Sequence, residues 1–179
     1  MTQDGRLGGR RVARIVFDEA TIAARVRELG REITEAYEPD EPVLVIGLLK
    51  GSFLFLADLV RNIGLPLHVD FMVASSYGDA MESSGEIRLL YEPAADVEGR
   101  SVLLVEDIVD SGATLARLVP RLKEMGARRV DVCALLHKRV ASVQVDVRWT
   151  GFDAPKSFLV GYGLDHAEDF RHLPYIASL

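Results

Sequence analysis

The stretch from Val102 to Leu115 reads VLLVEDIVDSGATL. It opens with a continuous apolar run, the pattern of a strand buried on both faces. Two adjacent carboxylates, Glu106 and Asp107, close that strand, and a third, Asp110, follows one short turn later. Ser111, Gly112, Ala113 and Thr114 then form a small turn that opens a helix. Free backbone N–H groups at a helix N-terminus, with two hydroxyls beside them, make a ready phosphate cradle. Glu106 and Asp107 are hard oxygen donors, suited to Mg²⁺ or to the hydroxyls of a ribose. An acidic strand end followed by an N-cap at Ser111 would explain one or two of these residues. It does not explain three crowded carboxylates.

The flanking sequence repeats the alternation of buried strand and helix. Ile22, Val26, Leu29, Ile33 and Ala36 recur at helical spacing between Glu19 and Tyr37, with Asp18 as N-cap. Val43 to Ile46 is a second apolar strand, and Gly47 to Ser52 is its turn. An apolar helix runs from Phe53 to about Ile63 before Gly64 and Pro66 stop it. Leu67 to Ala74 and Ile87 to Tyr91 read as strands around a small, polar loop, Ser75 to Gly85. After the central stretch, Leu115, Leu118, Val119, Leu122 and Met125 share a helix face that ends at Gly126 and contains Pro120. Val130 to Leu136 is the third buried strand, with short ones at Trp149 to Phe152 and Phe158 to Val160. This order predicts an α/β fold with a mainly parallel central sheet flanked by helices. Ligands of such sheets sit beyond the carboxyl ends of the strands, here after Ile46, Val105 and Leu136.

At 179 residues the chain is one domain. Residues 1–14, rich in Gly and Arg, read as a mobile N-terminal arm, and 15–179 as the single domain. With 21 Lys plus Arg against 27 Asp plus Glu, the net charge of −6 is wrong for a dedicated nucleic-acid binder. The longest apolar run, Val43 to Leu49, is far short of the ~20 residues that span a bilayer, so no membrane partner is expected. Cys133, the only cysteine, cannot form an intrachain disulfide, and a reducing, cytoplasmic setting is the default. Neither a P-loop, a complete dinucleotide fingerprint, a Gly-x-Ser-x-Gly elbow nor a His-Glu-x-x-His helix occurs. Asp165, His166, Glu168, Asp169 and His172 cluster near the C-terminus without transition-metal spacing. Cys133 and Trp149 read as core, and His68 as a half-buried structural residue.

The 102–115 segment resembles the signature of the phosphoribosyltransferase family, which binds 5-phosphoribosyl 1-diphosphate there. Leu48-Leu49-Lys50-Gly51-Ser52-Phe53 resembles the Leu-Lys-Gly turn of hypoxanthine-guanine phosphoribosyltransferases. The run from Phe158 to Ile176 is similar to that family's C-terminal segment. The resemblance covers residues 14–179 and implies a phosphoribosyltransferase type I fold with a small hood and a mobile loop. It implies a non-proline cis peptide between Leu49 and Lys50, with Lys50, Gly51 and Arg171 gripping diphosphate. It gives Lys138 the exocyclic oxygen of a 6-oxopurine, Phe158 the stacked base and the Leu159 backbone the base edge. Asp165 is placed near the base and a Mg²⁺ shell shared with Glu106 and Asp107. Ala113 occupies a variable site of the phosphate turn, where its N–H can still contribute. A lysine in Lys138's position, taken alone, reads more often as solvated than as ligand-binding.

The expected reaction is therefore Mg²⁺-dependent purine salvage, giving IMP or GMP from hypoxanthine or guanine. Asp110 is the candidate general base, while Glu106, Asp107, Asp110, Ser111, Gly112, Ala113 and Thr114 bind ribose and 5-phosphate. Ser76 and Tyr77 belong to a loop that closes over the reacting centre. The expected partners are 5-phosphoribosyl 1-diphosphate, a 6-oxopurine and further copies of the chain, as a homodimer or homotetramer. The alternatives are a xanthine-preferring relative and a non-catalytic nucleotide-sensing regulator on the same fold.

Overall fold

The computed structural model of the chain describes residues 5–76, 87–139 and 145–179. After a 3-10 turn at Gly5–Leu7, the elements are β1 (Arg14–Phe17), α1 (Glu19–Ala36), β2 (Val43–Leu49), α2 (Phe53–Val60), β3 (Leu67–Ser76) and β4 (Ile87–Tyr91). There follow β5 (Ser101–Val109), α3 (Ala113–Glu124), β6 (Arg129–His137), β7 (Trp149–Asp153), β8 (Leu159–Val160) and β9 (Ile176–Ser178). The central sheet has the order β4-β3-β2-β5-β6-β7, parallel throughout except for the edge strand β4. A smaller antiparallel sheet, β1-β9-β8, forms a hood.

Strand periodicity sorts the core into two layers. Val43, Val45, Leu103, Val105, Cys133 and Leu135 pack with Ile22, Val26, Leu29 and Ile33 of α1 and Phe55, Leu56 and Leu59 of α2. The alternate residues Leu44, Ile46, Val102, Leu104, Val132 and Ala134 pack with Leu115, Leu118 and Leu122 of α3. Both faces of the central strands are thus covered, which is why they read as unbroken apolar runs. Asp18 caps α1 as expected, accepting from Thr21 N–H at 2.8 Å. Among the described residues no helix is long and apolar enough to cross a membrane.

Several expectations need correction. The helix after Ser52 ends at Val60, short of Ile63, because Asn62 N–H bonds back to Leu59 O at 2.9 Å and tightens the last turn. Helix α3 is preceded by Gly112 at φ 79°, and Ser111 Oγ accepts from Ala113 N–H at 3.4 Å. His68 is exposed rather than half-buried. The strands β1 and β9 were not foreseen; at four and three residues they carry too little pattern to be read locally. From residue 5 onward, the segment read as an arm touches the hood. Leu7 and Val12 pack against the cluster of Val160, Phe170, Leu173, Tyr175 and Ala177, and Ala13 N–H bonds Ser178 O at 2.8 Å.

Candidate active site

The site lies where the carboxyl ends of β2, β5 and β6 meet the hood. β2 ends in a non-proline cis peptide between Leu49 and Lys50, the geometry that the resemblance implied. Buried Ser52 steadies the turn by donating from Oγ to Leu48 O at 2.7 Å. A Cβ at position 51 would lie 1.6 Å from Asp107 Oδ2, so any larger residue there would displace the Asp107 carboxylate. A Cβ on Gly163 would in turn lie 2.0 Å from Gly51 O, at a φ of 99°. Two glycines thus let the β2 turn, the acidic end of β5 and the hood close on one another.

Glu106 is only 7% exposed. Burial, reinforced by the adjacent Asp107 carboxylate, pushes its carboxyl well above the usual range. Its Oε1 accepts from Asp107 N–H at 3.2 Å, and Asp107 Oδ1 accepts from Ile108 N–H at 2.8 Å. Asp110 stands beyond β5, largely exposed, and its Oδ2 lies 2.7 Å from Lys138 Nζ. That pairing follows from the register: Val109 lies opposite His137, and Lys138 N–H bonds Val109 O at 2.8 Å. The first turn of α3 carries no acidic residue, so no carboxylate within it opposes the positive end of its macrodipole beside Ser111 and Gly112.

Across the turn, the hood presents a compact charged loop. Arg171 donates to Gly163 O at 2.8 Å and pairs with Asp165 at 2.8 Å. Its Nε is buried without a hydrogen-bond partner. Asp165 Oδ2 also accepts from Glu168 N–H at 2.8 Å, and Glu168 pairs with Lys50 at 3.0 Å. Phe158 is exposed, with its ring edge-on to His166 at 5.5 Å between centroids. Leu159 is buried in β8.

A family model described as a phosphoribosyl transferase domain matches residues 14–167. The hypoxanthine-guanine phosphoribosyltransferase of Dictyostelium discoideum is 44% identical over 169 residues, covering 92% of this chain and 94% of the relative. The hypoxanthine phosphoribosyltransferase of Salmonella typhimurium is 43% identical over 167 residues, with the same coverage. The chain belongs to the hypoxanthine-guanine phosphoribosyltransferase family. A crystal structure of a Staphylococcus aureus hypoxanthine phosphoribosyltransferase superposes with a TM-score of 0.91 at 32% identity, covering 100% of this chain and 96% of that one.

For a phosphoribosyltransferase, most of the expected side chains converge: Lys50 and Gly51, Glu106 and Asp107, Asp110 with Lys138, and Asp165 with Arg171. Among the described residues no three His, Cys, Asp or Glu groups gather closely enough to hold an ion, and Asp165 is engaged by Arg171 instead of joining Glu106 and Asp107. Ser76 ends β3, while Tyr77 and the rest of the expected lid to Gly85 lie outside the described residues, Ser75 excepted. Sequence reasoning missed Glu168 as a partner of Lys50. Its spacing to Arg171 was legible, but a contact across 118 positions was not. It also missed His137, buried beside Lys138 with neither ring nitrogen partnered. Burial is the largest cause that lowers its pKa.

Proposed function

We propose that the protein transfers the 5-phosphoribosyl group from 5-phosphoribosyl 1-diphosphate to hypoxanthine or guanine, releasing diphosphate. The observation that carries this reading is the pairing of Lys138 Nζ and Asp110 Oδ2 at 2.7 Å. A cationic donor and an anionic acceptor side by side match one edge of a 6-oxopurine. The exocyclic oxygen takes the lysine proton donor, and the neighbouring imidazole nitrogen yields its proton to the carboxylate. Adenine would turn an amino group toward the lysine and lose that contact.

The remaining roles follow the charge distribution. Phosphate binds the N–H groups of 111–114, where α3 offers a positive end without a competing acid. The ribose hydroxyls donate to Glu106 and Asp107, and their carboxylates face the cationic character that develops on the sugar. Diphosphate takes Lys50, the Gly51 backbone and Arg171, whose buried, unpartnered Nε is suited to an anion. Phe158 stacks on the base, and the Leu159 backbone meets its edge.

Mg²⁺ fits this set by donor chemistry, since a buried carboxylate raised by its neighbour gains from a divalent cation. Glu106 and Asp107 would hold it, with Asp165 reaching it once released from Arg171. Bound there, the ion neutralises the leaving diphosphate.

A homo-oligomer is the proposed assembly. Val69, Phe71 and Tyr91 are exposed apolar side chains, and Tyr91 pairs with Val73 on the same face of β3 and β4. Steady-state kinetics with hypoxanthine, guanine, xanthine and adenine, at fixed donor and Mg²⁺, tests the reaction. Turnover is expected with the first two. Absence of turnover with every 6-oxopurine overturns it.

A further inference from the structure

We propose that Glu168 competes with diphosphate for Lys50 and Arg171, acting as a built-in counter-ion that weakens donor binding and hastens product release. The inference rests on the assignment of those two cations to diphosphate in the reading above. One carboxylate reaches both of them: Oε1 lies 3.0 Å from Lys50 Nζ and Oε2 lies 3.4 Å from Arg171 Nη2. Among the described residues Glu168 is the only carboxylate paired with Lys50. Arg171 keeps a second partner in Asp165, so loss of Glu168 leaves that side chain held.

The backbone aims Glu168 at this task. It sits in a tight turn at φ 67°, with Ala167 at 53° and Phe170 at 75°. Glu168 N–H is fixed by Asp165 Oδ2, and His166 pairs with Asp169 across the turn. Arg10 clamps the far side through Asp169 at 2.6 Å and lies over the Phe170 ring at 5.7 Å. Three left-handed non-glycine residues in four positions are a conformation that L side chains adopt rarely. Its result here is a carboxylate delivered between two cations.

The contact is built to be broken. The Lys50 and Glu168 side chains are each 66% exposed, so water and salt screen the pair and it contributes little to folding. Diphosphate brings more charge and more oxygens to the same donors, and wins. The displaced carboxylate then remains tethered beside a polyanion, and the repulsion raises the free energy of the bound state.

Calorimetric titration of the full chain with inorganic pyrophosphate in Mg²⁺ buffer is the direct test. Glu168→Gln should bind pyrophosphate about three- to tenfold more tightly, the factor associated with one or two exposed ion pairs. KM for 5-phosphoribosyl 1-diphosphate should fall in parallel, while KM for hypoxanthine and the melting temperature stay at the parent values. The gain should shrink as salt is raised. Equal or weaker pyrophosphate binding by Glu168→Gln overturns the counter-ion role, provided that Lys50→Met weakens binding in the parent background. If Lys50→Met leaves pyrophosphate affinity unchanged, the diphosphate assignment itself fails, and the counter-ion role falls with it.

Discussion

The two ends of the central sheet carry the same residue types and use them in opposite ways. At the amino end, Asp131 accepts from Tyr37 at 2.9 Å and pairs with Arg129 at 2.6 Å and Arg148 at 3.2 Å. Arg129 lies over the Tyr37 ring and Arg148 over Trp149. Glu41, nearby, is held by Ser101 and Arg128. Burial alone would raise the Glu41 carboxyl, yet its hydrogen bonds from Ser101, the Glu38 backbone and Arg128 bring it below the usual range. The two buried carboxylates there, Glu41 and Asp131, each have their counter-charge. At the carboxyl end, Glu106 is buried against another carboxylate and raised, while the cations Lys50 and Lys138 sit in ion pairs that a ligand can take over. One end is closed electrostatically. The other is left open for an anionic, hydroxyl-rich substrate.

The contrast breaks most sharply at Asp110. Asp110→Asn keeps the shape and removes the proton acceptor, so kcat should fall by about 10²–10⁴-fold while donor binding persists. A kcat within threefold of the parent would remove Asp110 from the role of base. Next in size, Lys138→Met should reduce the preference for hypoxanthine over adenine by about 1.5–3 kcal/mol, the worth of a charged hydrogen bond. Relative kcat/KM for the two bases measures it directly.

At the closed end the same kind of change should act on folding alone. Asp131→Asn is expected to cost about 1–3 kcal/mol in urea unfolding, since three donors lose their charged acceptor, with kcat/KM intact. A variant that loses activity at unchanged stability would contradict the division of labour. The smallest effect has the opposite sign. Folding raises the Glu106 carboxyl, so the folded chain keeps a proton that the unfolded chain has released, and stability falls as pH rises through the folded value. Glu106→Gln should therefore melt about 2–4 °C higher at pH 7, with the gain vanishing below the ordinary carboxylate range, and should transfer more slowly. Equal melting curves at pH 7 would mean that the buried carboxyl costs nothing.

Much of this organisation is legible locally. Val102 to Val105 and Val43 to Ile46 announce strands covered on both faces, and the face that each residue takes follows from period two. Strand ends in such a sheet predict where Glu106, Asp110, Lys50 and Lys138 must lie. The hood was less readable: β1 pairs with β9 across nearly the whole chain, and neither strand is long enough to show a period. Gly51 and Gly163 carry no mark in the sequence that says which atoms would collide with a side chain. Only their neighbours, Asp107 Oδ2 and Gly51 O, explain them.

The sequence by itself determined the alternation of strands and helices, the acidic strand end with its phosphate turn, and the residue types available to bind a polyanion. These depend on spacing along the chain, where burial periodicity and turn chemistry act over a few positions. Tertiary structure decided which charges meet. The sheet order puts β2 beside β5 and β5 beside β6, so Asp110 finds Lys138 and Asp107 finds Gly51. The hood folds back to set Glu168 against Lys50. Coulomb energy depends on distance through space, and the sheet order sets that distance where separation in sequence cannot.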